Sequence, residues 1–132
     1  MTPMQIDVQL TDLPIVGNGP PRVVPGGMGA WTEFRGLVRA EENGMAIRAL
    51  EYEAYHSMAE RELRRLLEAL SQKHRCLGAQ VIHRIGIVPV GDAAIYVGIA
   101  SRHRGEGFSL LAEFMGRLKQ DVPIWKCRIH PA

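Results

Sequence analysis

Residues 93–128 read AAIYVGIASRHRGEGFSLLAEFMGRLKQDVPIWKCR, and the fold turns on how this stretch divides. Ala93–Ala100 is apolar almost without interruption and rich in β-branched side chains, the pattern of a central strand buried on both faces. Ser101–Arg128 then opens on His103 and Arg104 and passes Gly105 and Gly107. Phe108, Leu111, Met115 and Leu118, with Leu110 and Phe114 beside them, recur at three- and four-residue steps, which marks a helix with one buried face. The stretch breaks at Pro123 and closes on Trp125-Lys126. Cations therefore stand at both ends of the helix: His103 and Arg104 at its start, Lys119 and Lys126 at and beyond its exit. A helix from about Glu106 to Lys119 spans roughly 20 Å at about 1.5 Å per residue. His103-Arg104 and Lys119 cannot easily line one pocket within a single chain, so either there are two sites or a second copy supplies the other end.

Working outward, Ala79–Ile85 (AQVIHRI) is the other strong strand, joined to Ala93–Ala100 through GIVPVGD, where Pro89 and Gly91-Asp92 mark a turn. Met4–Leu10 alternates apolar and polar residues and reads as a first strand. Residues 13–29 hold so many prolines and glycines that regular structure is excluded, and no phosphate-loop or dinucleotide fingerprint lies among them. Gly29–Val38 reads as a strand with a bulge or close approach at Gly36, and Ile47–Tyr55 as a second. A hairpin between these two would put Arg39 at its open, turn-proximal end. Ser57-Met58-Ala59-Glu60 supplies a capping box for a helix whose buried stripe is Ala59, Leu63, Leu66, Leu67 and Leu70, with Leu77-Gly78 ending it. The order β, ββ, α, ββ, α and a short final segment predicts one α+β domain over residues 1–132, with a mostly antiparallel sheet and two main helices.

A chain of 132 residues has room for one ordinary domain, and 46% hydrophobic with 23% charged residues is the balance of a globular protein. A net charge of +2 gives little support to a general nucleic-acid or membrane surface. An RNA-binding reading also lacks aromatic stacking residues on a basic sheet face. With no long apolar run and no basic-then-apolar leader, the expected location is the cytoplasm, without membrane or nucleic acid among the partners. Cys76 and Cys127 have no paired spacing and read as reduced thiols. His56, His74 and His130 show no metal-ligand spacing, His83 reads as a structural histidine within a strand, and no metal site is expected. No G-x-S-x-G is present to support an acylation triad.

His103 and Arg104 stand where a buried strand gives way to a helix, so unpaired N–H groups of residues 105–107 and the helix dipole favour an anion there. The plainer reading is a helix start with an incidental basic pair. Gly105 and Gly107 favour a phosphate or carboxylate site, because they let an anion come close to the backbone. Lys119 by itself is ordinary complementation of a helix C-terminus. Lys126 follows Pro-Ile-Trp, an apolar setting whose desolvation suits an amine to act as nucleophile or proton carrier.

Six segments resemble, in the same order across about Ala30–Lys126, the large, catalytic subunit of molybdopterin synthase: FRGLVR (34–39), LEYEAY (50–55), HRIG (83–86), PVGD (89–92), SRHR (101–104) and LK…PIWK (118–126). The S-x-H-R and P-I-W-K segments are the most specific. The resemblance implies an α/β hammerhead-type fold with an added α+β portion. It implies a sulfurtransferase that converts cyclic pyranopterin monophosphate (precursor Z) to molybdopterin by installing a dithiolene. The sulfur would come from a thiocarboxylate on the C-terminal Gly-Gly of a small ubiquitin-like carrier subunit, with no cofactor bound. It also implies a homodimer of this chain within a heterotetramer. Mapped motif by motif, Arg39, His103 and Arg104 would hold the substrate's phosphate and pterin. Lys119 and Lys126 would meet the carrier's C-terminus and the reacting carbons, as acid–base groups or by neutralising developing charge. A chain closing on His-Pro-Ala would need that carrier as a separate protein. Two departures stand out: Arg128 replaces a glutamate that would pair with and orient Lys126, and the chain stops at Ala132, short of a tail that would dock the carrier. The alternative they leave is a noncatalytic anion-binding and carrier-docking scaffold of the same fold.

Overall fold

The computed structural model describes residues 3–16 and 21–132, so Gly17 to Pro20 of the expected loop lie outside the described residues. The elements are β1 (Gln5–Thr11), β2 (Ala30–Leu37), β3 (Glu41–Glu42), β4 (Met45–Ala54), α1 (His56–His74), β5 (Gly78–Arg84), β6 (Gly86–Pro89), β7 (Ala93–Ser101), α2 (Arg104–Asp121) and β8 (Ile124–Pro131). The architecture is α+β. One sheet has the order β1-β5-β7-β2, with β1·β5 parallel and the other pairs antiparallel. In the second, β4 pairs antiparallel with β3, β6 and β8.

As its unbroken apolar run demands, β7 is buried at every position and lies between β5 and β2. Both helices contribute to the core on one face of that sheet. Leu63, Leu67 and Leu70 of α1 and Leu110, Leu111, Phe114 and Leu118 of α2 cluster with Val81, Ile95, Val97 and Ile99. The buried stripe of α1 is the five residues its spacing predicts. In α2 the buried face is Gly107, Leu110, Leu111, Phe114 and Leu118, whereas Phe108 is exposed. A smaller core joins Val38, Ile47, Leu50, Val88 and Ala94, with Tyr52, Val90 and Ile129 against it. No helix among the described residues is long and apolar enough to cross a membrane.

Four local expectations are corrected. The strands at 29–38 and 47–55 do not form a hairpin with each other. β2 pairs with β7, and the chain leaves that sheet at Val38, held between Gly91 and Asp92 by backbone bonds of 2.9 and 3.0 Å. The hairpin is instead the tight one from β3 to β4 through Asn43 (φ 52°) and Gly44 (φ 79°), where glycine suits the left-handed backbone. The capping box at Ser57 does not form. Pairing of Ala54 with Ile124, and a 3.3 Å bond from Tyr55 N–H to Pro123 O, hold the chain as strand until Tyr55, which becomes the N-cap without a side-chain cap. Helix α1 ends two residues earlier than Leu77, on Arg75 (φ 55°), whose N–H donates to Ser71 O at 2.8 Å. Gly78 instead opens β5. Finally, Gly86–Pro89 is not turn but β6, so the turn shrinks to residues 90–92 with Gly91 at φ 89°.

Candidate active site

Helix α2 sets the site's main dimension. Arg104 is its first residue and Lys119 lies in its last turn. Fifteen helical steps at about 1.5 Å each separate them by roughly 22 Å. The separation read from the sequence therefore stands, and one chain does not bring His103 and Arg104 to Lys119.

At the amino end, His103 is the N-cap, in extended backbone and without a side-chain cap bond. Ser101, fully buried at the end of β7, donates its hydroxyl to His103 O at 2.6 Å and fixes the turn into the helix. The carboxyl end of α1 lies alongside, with the Cys76 thiol 3.4 Å from Glu106 O. Between the two helix ends is an open hollow of ≈ 630 Å³ lined by Lys73, His74, Arg75, His103, Gly105, Glu106 and Ser109. Lys73 and Arg75, with His74, His103 and a helix N-terminus, line the hollow against one carboxylate, Glu106, so the balance at its rim favours an anion. Lys73 and His74 both reach Glu113 (2.9 and 2.8 Å), and these two partners hold its carboxyl below the usual range. Lys73, His74 and Arg75 were invisible as site residues in the sequence, where a basic last turn reads as dipole complementation. Arg104 is exposed and does not line the hollow. Nor do the two glycines act alike: Gly105 faces open space, but a β-carbon at Gly107 would collide with the Thr32 hydroxyl. Gly107 thus lets α2 pack closely on β2 rather than admitting a ligand.

At the other end, Val122 and Pro123 lead directly from α2 into β8. Lys126 is the third residue of that strand and is registered opposite Tyr52. It is not desolvated as its Pro-Ile-Trp context predicts: the side chain is 44% exposed, and its Nζ donates to Glu42 Oε1 at 3.2 Å. Lys119 is also exposed. Arg39 is exposed just past the end of β2, three residues before Glu42. Behind Lys126, Tyr52 meets buried His83 edge to face with ring centroids 5.2 Å apart. His83 donates Nδ1–H to Arg84 O at 2.8 Å and is structural, with burial lowering its pKa below 6.5 despite that bond. Burial and then the nearby Glu42 charge raise the Tyr52 phenol.

Both cysteines are free thiols. Burial and Glu106 push Cys76 up to about 11, which makes it a poor nucleophile. Among the described residues one group has metal-ligand spacing: a Glu51 oxygen, a Glu53 oxygen and Cys127 Sγ lie within 4.8 Å of one another. The sequence does not reveal this group because its members come from two strands. Desolvation and the two carboxylates raise the Cys127 thiol above its ordinary value, and Glu51 is already engaged by His130 at 2.9 Å, so the donors are poorly prepared for a cation.

Comparison with known proteins agrees with the fold. A profile of the MoaE protein family matches residues 20–121. The molybdopterin synthase catalytic subunit of Thermoplasma volcanium is 37% identical over 98 residues, covering 74% of this chain and 72% of that protein. The human protein of the same name is 38% identical over 102 residues, 77% of this chain, which spans about half (54%) of the human one. The crystal structure of molybdopterin synthase from Staphylococcus aureus superposes with a TM-score of 0.76 at 28% identity, covering 96% of this chain and 90% of that one. With a profile that spans most of the residues, and a relative matched over more than two thirds of its own length, the chain belongs to the MoaE protein family.

Proposed function

We propose that this chain is the catalytic subunit of a sulfurtransferase in molybdenum-cofactor biosynthesis, converting cyclic pyranopterin monophosphate to molybdopterin. The observation that carries the reading is the placement of two cationic groups at opposite ends of α2, one beside an anion-favouring hollow and the other on the strand that leaves the helix. In this reading His103, Arg104 and Arg39 bind the substrate's phosphate and pterin. The hollow's basic rim supplies the potential that draws the phosphate in. Lys119 and Lys126 meet the C-terminal thiocarboxylate of a small carrier protein and stabilise the negative charge that develops as its sulfur attacks a pterin carbon and a carbon–oxygen bond there breaks. Water then cleaves the carrier's acyl–sulfur bond, leaving the sulfur on the pterin and the carrier as its carboxylate. A homodimer completes each site, because His103 and Lys119 of one chain lie too far apart to serve one substrate.

Single-turnover conversion by the purified chain with a thiocarboxylated carrier tests this. Lys119→Ala and Lys126→Ala are each expected to lose about a hundredfold or more in rate, the scale of removing one charge-stabilising donor, while still binding carrier. Undiminished conversion by both variants would remove the lysines from the chemistry. A wild type that binds carrier but forms no dithiolene would favour the scaffold reading.

A further inference from the structure

We infer that Glu42 is the positioning residue for Lys126, supplying from β3 the carboxylate that position 128 does not provide in this chain. The inference rests on the reading of Lys126 as a reacting-site cation. The ammonium donates to Glu42 Oε1 at 3.2 Å, and the two side chains differ in setting, Glu42 being 16% exposed and Lys126 44%. The carboxylate is the anchored member and the amine the one presented outward. Glu42 is itself fixed by the tight Asn43-Gly44 turn into β4. Its charge is also felt at Tyr52, the residue registered opposite Lys126.

Position 128 is on the other face. Lys126 pairs with Tyr52, but Arg128 pairs with Glu51, its immediate neighbour in β4, because Cys127 is an extra residue in the β8 register. Paired residues share a face and successive residues alternate. This bulge therefore turns residue 128 toward Glu51, Glu53 and His130, away from Lys126. A glutamate placed there would join two other carboxylates and leave the ammonium untouched. A pair as accessible as Lys126–Glu42 adds little to stability. Its effect is to hold a long, flexible side chain in one direction, which matters where a reacting group must be placed to within about an ångström.

The test separates the pair from the chemistry. Reductive methylation with isotope-labelled formaldehyde gives signals for the chain's three lysines, Lys73, Lys119 and Lys126, assigned with Lys→Arg variants. Glu42→Gln is expected to move the Lys126 signal and leave Lys73 and Lys119 in place, which also reports an intact fold. In unmodified protein it is expected to slow single-turnover conversion roughly threefold to tenfold, with half-saturating pterin and carrier concentrations unchanged. An unmoved Lys126 signal would show that no pair forms. A moved signal with a wild-type rate would show a pair that positions nothing, and either result overturns the inference. Full activity in Lys126→Ala would defeat the parent reading instead, and the inference with it, even with the lysine signal still responding to Glu42.

Discussion

If each site draws its cations from two chains, two inactive variants should rescue one another. Helix α2 places Arg104 and Lys119 fifteen residues apart, about 22 Å along one rigid axis, and His103 lies one residue further out. A single substrate cannot touch both ends of one helix. In a mixed dimer of His103→Ala and Lys119→Ala chains, one site inherits both substitutions and the other inherits neither. Random reassociation of equal amounts makes half the dimers mixed, each with one intact site in two, so about a quarter of the wild-type activity should return. The assay is conversion of the pterin by each variant alone, by their mixture after dissociation and reassociation, and by wild type treated identically. Activity no higher than that of the separate variants, with mixed dimers shown to have formed, would place His103 and Lys119 in one chain's site and refute the geometric reasoning.

Further outcomes follow from particular contacts. Phe114 is fully buried between the helices and the sheet, so Phe114→Ala should cost about 3–5 kcal/mol, read from urea unfolding; a loss under 1 kcal/mol would mean the core is not packed as described. Burial lowers the His83 pKa below 6.5, so the unfolded chain takes up a proton that the folded chain refuses. Its contribution is therefore complete above about pH 6.5 and declines as pH falls toward the folded value; His83→Asn should flatten the fall in unfolding midpoint over that range, and an unchanged slope would count against it. Arg128→Glu should not restore activity to Glu42→Gln, because residue 128 faces Glu51; recovery would mean the bulge at Cys127 is absent in solution.

The elements with strong periodicity were legible from the sequence. The α1 stripe and the doubly buried β7 follow directly from where apolar residues fall. Strand pairing was not, because alternation shows which face of a strand is buried and not which neighbour it meets. The 29–38 and 47–55 segments look like hairpin partners, yet the first finds β7, and the Val38 junction sends the chain into a second sheet. Helix boundaries failed for a related reason, since pairing of Ala54 with β8 overrode the local capping signal at Ser57. At the site, the cations and their separation were legible because they lie on one helix and its flanks. Contacts across the fold were not: Glu42 reaches Lys126, and Lys73 to Arg75 reach the start of α2, with no local pattern to announce either. The apolar neighbours of Lys126 predict desolvation, but the bulged strand at the edge of its sheet leaves the amine accessible.

The most direct test follows the sulfur. Carrier bearing a heavy-sulfur thiocarboxylate is mixed with this chain and cyclic pyranopterin monophosphate, and both products are weighed by mass spectrometry. Dithiolene carrying the heavy label, with the spent carrier returned as the plain carboxylate, is the expected result. Carrier that binds the chain yet keeps its thiocarboxylate, beside an unchanged pterin, would contradict it.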